Sequence, residues 1–211
     1  MITAVILAGG RGSRMGGVDK GLQDFRGQPL VQHALKRLQR QEGDGIDRIL
    51  INANRNLPAY SAMGVPVWPD AQPDEFAGPL AGFLTGLAHC NSVYLLTVPC
   101  DCPLFPLDLA RRLLQGLEQA QADIAVACAP ETEATGLTRL RPQPVFCLLK
   151  ADLKPSLTAF MQNGGRKIDA WTAQHRTTQV CFALSRDRYN SFFNANSIAE
   201  LRSFDLAAPN A

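Results

Sequence analysis

The sequence predicts an α/β protein: a Rossmann-like three-layer fold with a mostly parallel central sheet and helices on both faces. Three observations point there. Short apolar runs rich in β-branched residues recur along the chain, stretches with helical spacing separate them, and a glycine-rich loop follows the first run directly. Strands that alternate with helices build βαβ units, and those assemble into a parallel sheet.

The strand candidates, in order, are TAVILAG, DRILINAN, GVPVWPD, SVYLLTVPCD, ADIAVACA, PVFCLLK and TTQVCFAL. Most are short, apolar and bounded by turn residues, as strands covered on both faces are. Helices are predicted over 29–41, where Leu30, Ala34, Leu35 and Leu38 repeat at helical spacing, and over 79–89, 107–119 and 152–162. A short last helix in NSIAELRSF has Asn196 or Ser197 at its start, residue types whose side-chain oxygens accept from the first free N–H groups. Residues 129–143 mix Pro, Glu, Thr, Gly and Arg without a regular period, which predicts a flexible loop or an irregular hairpin. No repeat, low-complexity tract or Gly/Ser linker divides the chain, so 1–206 reads as one domain and 207–211 as a frayed tail.

At 211 residues, with 46% hydrophobic and 19% charged side chains, the chain is long and apolar enough for a substantial core. A net charge of +2 is too small to suggest a nucleic-acid or membrane surface, so any affinity for phosphate comes from local clustering. The apolar run over 2–8 lacks a basic lead-in and is too short for a signal or membrane segment; a cytoplasmic protein is expected. Cys90, Cys100, Cys102, Cys128, Cys147 and Cys181 lie mostly in apolar stretches and read as reduced, buried thiols. Cys100 and Cys102 flank Asp101, but one CxC pair without a second Cys/His pair is weak support for zinc.

Two motifs carry the chemistry. Gly9, Gly10, Gly12, Gly16 and Gly17 follow the first strand, and Arg11, Arg14 and Lys20 fall among and just after them. Glycines admit an anion close to backbone N–H groups, and the three cations offset much of a triphosphate's charge. The spacing fits neither GxGxxG nor GxxxxGK[ST]. In VPCDCP, Asp101 ends the strand SVYLLTV between Pro99 and Pro103. Ligands of open α/β sheets bind beyond the carboxyl ends of the strands, so this carboxylate should share a crevice with the glycine loop. It suits Mg²⁺, which takes one or two carboxylates plus substrate phosphates; the lesser alternative is a cap for the following helix or a turn.

Other features have two readings each. Gly78 and Pro79 could bring backbone to a purine or simply start a helix. Asn52 and Asn54 could pair with a base edge or shape a turn. Asn194 and Asn196 could face one ligand together or cap the last helix. His33, His89 and His175 sit in no motif with a partner carboxylate and read as surface or helix-edge residues.

LAGGRGSRMGGVDKG, together with INANRN, WPDA, FAGPLAG, VPCDCP and FFNANS, resembles the molybdenum cofactor guanylyltransferases, the MobA family, within the nucleotidyltransferases that begin with an LAGGxxxRMG loop. The likeness spans nearly the whole chain. It implies transfer of GMP from GTP to molybdenum-bearing molybdopterin, with GTP held by about 1–105 and molybdopterin by about 106–206. In that family Leu7, Ala8 and Gly9, with Gly10 beside them, meet the nucleotide; Lys20 contacts its phosphates; Asn52 and Asp70 help hold it; Asp101 binds nucleotide and Mg²⁺; and Asn194 and Asn196 line the pterin region. Arg166 and Lys167 could meet the molybdopterin phosphate or begin an exposed helix. The molybdopterin phosphate is already an anionic nucleophile, so catalysis consists of alignment and charge neutralisation, with Arg14 and Lys20 facing the leaving pyrophosphate. A monomer in transient contact with molybdopterin-handling and cofactor-accepting proteins is expected. Two departures stand out: Cys102 replaces the small polar residue that often follows the aspartate, and the 131–141 loop is long.

Overall fold

A computed structural model describes residues 1–10, 19–43, 45–72, 78–132, 136–183 and 192. Seven strands form the main sheet in the order β5 (Val67–Trp68), β4 (Ile46–Asn52), β1 (Ile2–Leu7), β6 (Tyr94–Pro99), β8 (Thr138–Lys150), β7 (Ile124–Thr132) and β9 (Thr177–Cys181). All neighbours are parallel except β8, which runs against both β6 and β7. The mostly parallel sheet expected from the sequence is therefore present, with one reversed strand inside it.

Helices cover both faces, which is why β1 is apolar on both sides. Ile2, Ala4 and Ile6 pack in one core with α1 (Leu30–Gln39) and α4 (Leu109–Gln119), through Val31, Leu35, Leu38, Leu113 and Leu117. Val5 faces the other core, built by Leu80, Phe83 and Leu87 of α3 (Pro79–Ala88), Leu157 of α5 (Lys154–Gln162) and Trp171 of α6 (Ile168–Thr172). Each large apolar side chain buried this way stabilises by about 1.5–3 kcal/mol. Close contact of α3 with the sheet depends on Gly82 and Gly86 at one-turn spacing: a Cβ on Gly86 would stand 2.9 Å from Val5 and 3.0 Å from Leu95.

Of residues 129–143, those over 129–132 and 138–143 lie on the outer arms of the β7–β8 hairpin, with Thr132 opposite Thr138. This is the irregular hairpin of the two alternatives. Its register slips between Val126, paired with Cys147, and Ala127, paired with Gln143. Within the slip the Val145 carbonyl accepts a 2.6 Å bond from buried Thr97 Oγ1, so the irregularity leaves no orphan there. The sequence reading lacks three small elements: the hairpin of β2 (Asp24–Phe25) and β3 (Gln28–Pro29), α2 (Leu57–Ser61) and α6. The predicted last helix lies outside the described residues.

His33 on α1 sets its ring edge-on to Phe25 at 5.1 Å and places Nε2 2.7 Å from the Phe25 carbonyl, so the tautomer protonated at Nε2 donates there. Burial lowers its pKa below the ordinary 6.5; the Phe25 carbonyl opposes this, Lys36 and Arg26 reinforce it, and Asp24 opposes it. The unfolded chain therefore takes up a proton more readily, and the stability present above that pH is lost as pH falls. Urea midpoints are expected to drop between about pH 7.5 and about pH 5.5, and to drop less in His33→Gln, which keeps an N–H for the Phe25 carbonyl. An equally steep drop in the variant would remove His33 from this account.

Candidate active site

The carboxyl ends of β5, β4, β1 and β6 lie along one edge of the sheet because the four strands are parallel. The chain runs outward from β1 to β4 and β5 and then crosses back to β6 on the far side of β1. Such a reversal opens a crevice at the strand ends. The ladder continues just past the strands, Ala8 N donating to Asn52 O at 2.8 Å and Cys100 N to Leu7 O at 3.1 Å. Gly9 and Gly10 emerge between these partners. The Gly9 carbonyl accepts from Asn54 Nδ2 at 3.2 Å, and the Gly10 carbonyl accepts from Arg55 at 3.2 Å. A Cβ on Gly9 would stand 2.9 Å from Asn54 Nδ2, so the turn has no room for a side chain.

Asp70, just beyond β5, holds this turn from below. Its Oδ1 accepts from Asn52 Nδ2 at 2.8 Å and from Thr85 Oγ1 of α3 at 3.3 Å; its Oδ2 accepts from Asn54 Nδ2 at 2.7 Å. The Asp70 N–H returns a 2.8 Å bond to Asn54 Oδ1. Asn52 and Asp70 are only 2% and 7% exposed, so they are partners of each other and shape the Gly9 turn from beneath.

On the other side of β1, Lys20 Nζ lies 3.3 Å from Asp101 Oδ2, with the two side chains 24% and 17% exposed. Lys20 opens a single 3-10 turn, Lys20–Leu22. Asp101 lies two residues past β6, and α1 with the chain just beyond it braces the loop that follows: Arg37 Nε donates to Phe105 O at 2.7 Å and Gln41 Nε2 to Pro106 O at 2.9 Å. A cation and a carboxylate thus meet at the mouth of the crevice, 81 positions apart in sequence.

Residues 4–178 match the MobA-like NTP transferase domain. The chain belongs to that family. It is 60% identical over 204 residues to the molybdenum cofactor guanylyltransferase of Albidiferax ferrireducens, covering 97% of this chain and 95% of the relative. It is 57% identical over 201 residues to the enzyme of that name from Bordetella petrii, covering 95% of each. Among solved structures, molybdopterin-guanine dinucleotide biosynthesis protein A from Archaeoglobus fulgidus superposes with a TM-score of 0.71 at 18% identity, covering 98% of both chains. The 4-diphosphocytidyl-2C-methyl-D-erythritol synthase of Anaerococcus prevotii superposes at 0.74 with 10% identity, covering 98% and 95%, a likeness of fold alone.

The transferase brings Leu7, Ala8, Gly9, Gly10, Lys20, Asn52, Asp70 and Asp101 to the strand ends around its crevice. Gly78, with φ at 79°, caps α3 one turn before Gly82, whose Cβ would stand 2.6 Å from Asn52 Oδ1. Arg14, Asn194 and Asn196 lie outside the described residues. Arg166 donates to the carbonyls of Met161 and Gly165 at 2.8 Å each, and so closes the end of α5. His89 stacks on Trp68 at 3.8 Å, and His175 pairs with Ser156 at 2.9 Å. Two supporting residues escaped the sequence reading: Thr85, the one hydroxyl in an otherwise apolar helix, and Tyr60, in a stretch without a pattern.

Burial pushes the Cys100 and Cys102 thiols well above their ordinary range, and the Asp101 charge adds to it, so both pack as neutral, small apolar groups. The buried-thiol expectation fails at Cys181, which points outward from the edge strand β9, and at half-buried Cys90. Among the described residues no group of three or more His, Cys, Asp or Glu could hold a metal ion unaided. Asp101 offers one carboxylate, a donor set that fits Mg²⁺, whose shell is completed by water and substrate phosphates.

Asp70→Asn is expected to cost about 2 kcal/mol in urea unfolding, because its new amide must face the Asn52 or the Asn54 amide donor. An unchanged midpoint would mean that the clamp does not stabilise the fold.

Proposed function

We propose that this transferase is a molybdenum cofactor guanylyltransferase, which moves GMP from GTP to molybdenum-bearing molybdopterin and releases pyrophosphate. The observation that carries the reading is the meeting of Lys20 and Asp101 at the strand ends that also carry the Gly9–Gly10 turn, a cation suited to phosphate and a carboxylate suited to its counter-ion. The names of relatives at 54–60% identity support the choice of substrates.

In this reading a phosphate oxygen of molybdopterin attacks the α-phosphorus, the bond from that phosphorus to the bridging oxygen breaks, and pyrophosphate leaves with the electron pair. The nucleophile carries its charge already, so no strong general base is required. The chain's own contribution is alignment and neutralisation. The backbone at Leu7, Ala8, Gly9 and Gly10 cradles the nucleotide, and Asn52 and Asp70 support it by fixing the turn. Lys20 and Arg14 face the charge that grows on the leaving group. Gly78 is assigned to the purine side, and Asn194 and Asn196 to the pterin. Asp101 would hold Mg²⁺, which when bound neutralises phosphate oxygens. The assigned place of work is the cytoplasm, whose reducing conditions suit six free thiols. The working unit is a monomer in transient contact with molybdopterin-handling and cofactor-accepting proteins.

Titration calorimetry with GTP, CTP and ATP in the presence of Mg²⁺ is expected to show preference for GTP, weakened in Asp101→Ala; preference for CTP would reassign the donor nucleotide. Lys20→Ala and Asp101→Ala should each lower turnover by about a hundredfold, the usual scale for one lost transition-state contact. His175→Ala should leave it unchanged. Near-normal Mg²⁺-dependent turnover in Asp101→Ala would overturn the metal assignment.

A further inference from the structure

Lys20 sits at the head of a short turn, and something must hold that turn if the ammonium is to meet phosphate in one position. The residue before it, Asp19, is gripped at both oxygens. Tyr60 Oη of α2 donates to Asp19 Oδ1 at 2.6 Å, and Asn56 Nδ2 donates to Asp19 Oδ2 at 3.0 Å. The Asp19 backbone carbonyl also accepts from Leu22 N at 3.2 Å and closes the turn that begins at Lys20. Tyr60 is fully buried in the core shared by α1 and β1, so its hydroxyl is a fixed peg with no solvent to exchange with. Gly21 packs directly on that hydroxyl.

We propose that Tyr60 is a positioning residue for Lys20, acting through Asp19, and that it sets how tightly the enzyme holds the β- and γ-phosphates of its nucleotide. This rests on the guanylyltransferase reading above. Burial pushes the phenol far above the usual tyrosine range, with Cys100 and Asp19 adding to it, so Tyr60 stays a donor at any working pH. A donor that cannot ionise, bonded to a carboxylate, gives a short, charge-assisted contact. A core hydroxyl bonded to a residue of the site differs from one that merely satisfies itself: its loss leaves the core volume unchanged and frees the Lys20 turn.

Tyr60→Phe keeps the ring and removes the peg. Calorimetry with Mg²⁺ and either GTP or GMP reads the result, because GMP lacks the phosphates that Lys20 serves. Tyr60→Phe is expected to weaken GTP binding by about tenfold, the scale on which losing a group that orients a ligand contact acts, and to leave GMP binding unchanged. In the Lys20→Ala background the same substitution should have no further effect on GTP. Asp19→Asn, which cannot accept from both Tyr60 and Asn56, should reproduce the pattern. Equal weakening for GTP and GMP, or an equal loss with and without Lys20, would make Tyr60 a fold residue and overturn the proposal; so would unchanged GTP binding in Tyr60→Phe. If Lys20→Ala itself bound GTP as tightly as the wild type, the phosphate role of Lys20 would fall, and this proposal with it.

Discussion

One carboxylate ties the ligand end of the sheet together. Asp70 comes after β5, Asn52 ends β4, Asn54 reaches the carbonyl of Gly9 beyond β1, and Thr85 belongs to α3; all of them meet at the two oxygens of Asp70. A buried carboxylate is tolerable only when its oxygens are well bonded, and three donors supply that. In return the carboxylate fixes two asparagine amides, and the amides fix the turn. Three strand ends and a helix are locked to a common point beneath the place where the chain needs bare backbone.

That frame explains the division of labour along the rim. The clamp at Asp70 is closed and buried, and it shapes the Gly9 turn. On the opposite side of β1 the Lys20–Asp101 pair is partly exposed and open to exchange of partners. A solvent-accessible ion pair is worth little to stability, about 0–1 kcal/mol. The Lys20–Asp101 pair, at 24% and 17% exposure, lies between such a pair and a buried one: water reaches both side chains, and neither is sealed in the core as Asp70 is. The buried side holds shape and the exposed side holds charge.

Much of this could be read in the sequence because the strands that build the crevice are covered on both faces. Strong apolar runs such as ITAVIL and YLLTVP signal themselves, and they end where the site begins. Glycines and charges just beyond such runs stand out for the same reason. The supporting contacts were invisible for a different one. Thr85 and Tyr60 join the site through single hydrogen bonds to residues 15 and 41 positions away, and no local period records such a pairing. The β2–β3 hairpin was missed because its turn residues, Arg26 and Gly27, with φ of 53° and 77°, lack the Asn-Gly or Asp-Gly signature. The reversal of β8 was equally hidden, since a buried antiparallel strand between two neighbours is as apolar as a parallel one.

Cys102 shows how the reversed strand reaches the stretch beside Asp101. Its thiol, fully buried, lies 3.7 Å from the carbonyl of Phe192 and donates to it. Phe192 in turn packs edge-on against Phe146 of β8 at 4.8 Å and against Phe182 at 5.3 Å. Phe146 falls in the slip of the β7–β8 register, where three extra residues turn side chains that a regular ladder would have faced elsewhere. Phe146 of the irregular hairpin and Phe182 thus form an aromatic seat for Phe192, and Cys102 adds a weak donor to its carbonyl. Buried and neutral, the thiol packs as a small apolar group while still donating to that carbonyl. The residue next to Asp101 thus joins two parts of the chain: its backbone continues from the carboxylate, and its side chain holds the carbonyl of Phe192, 90 positions away.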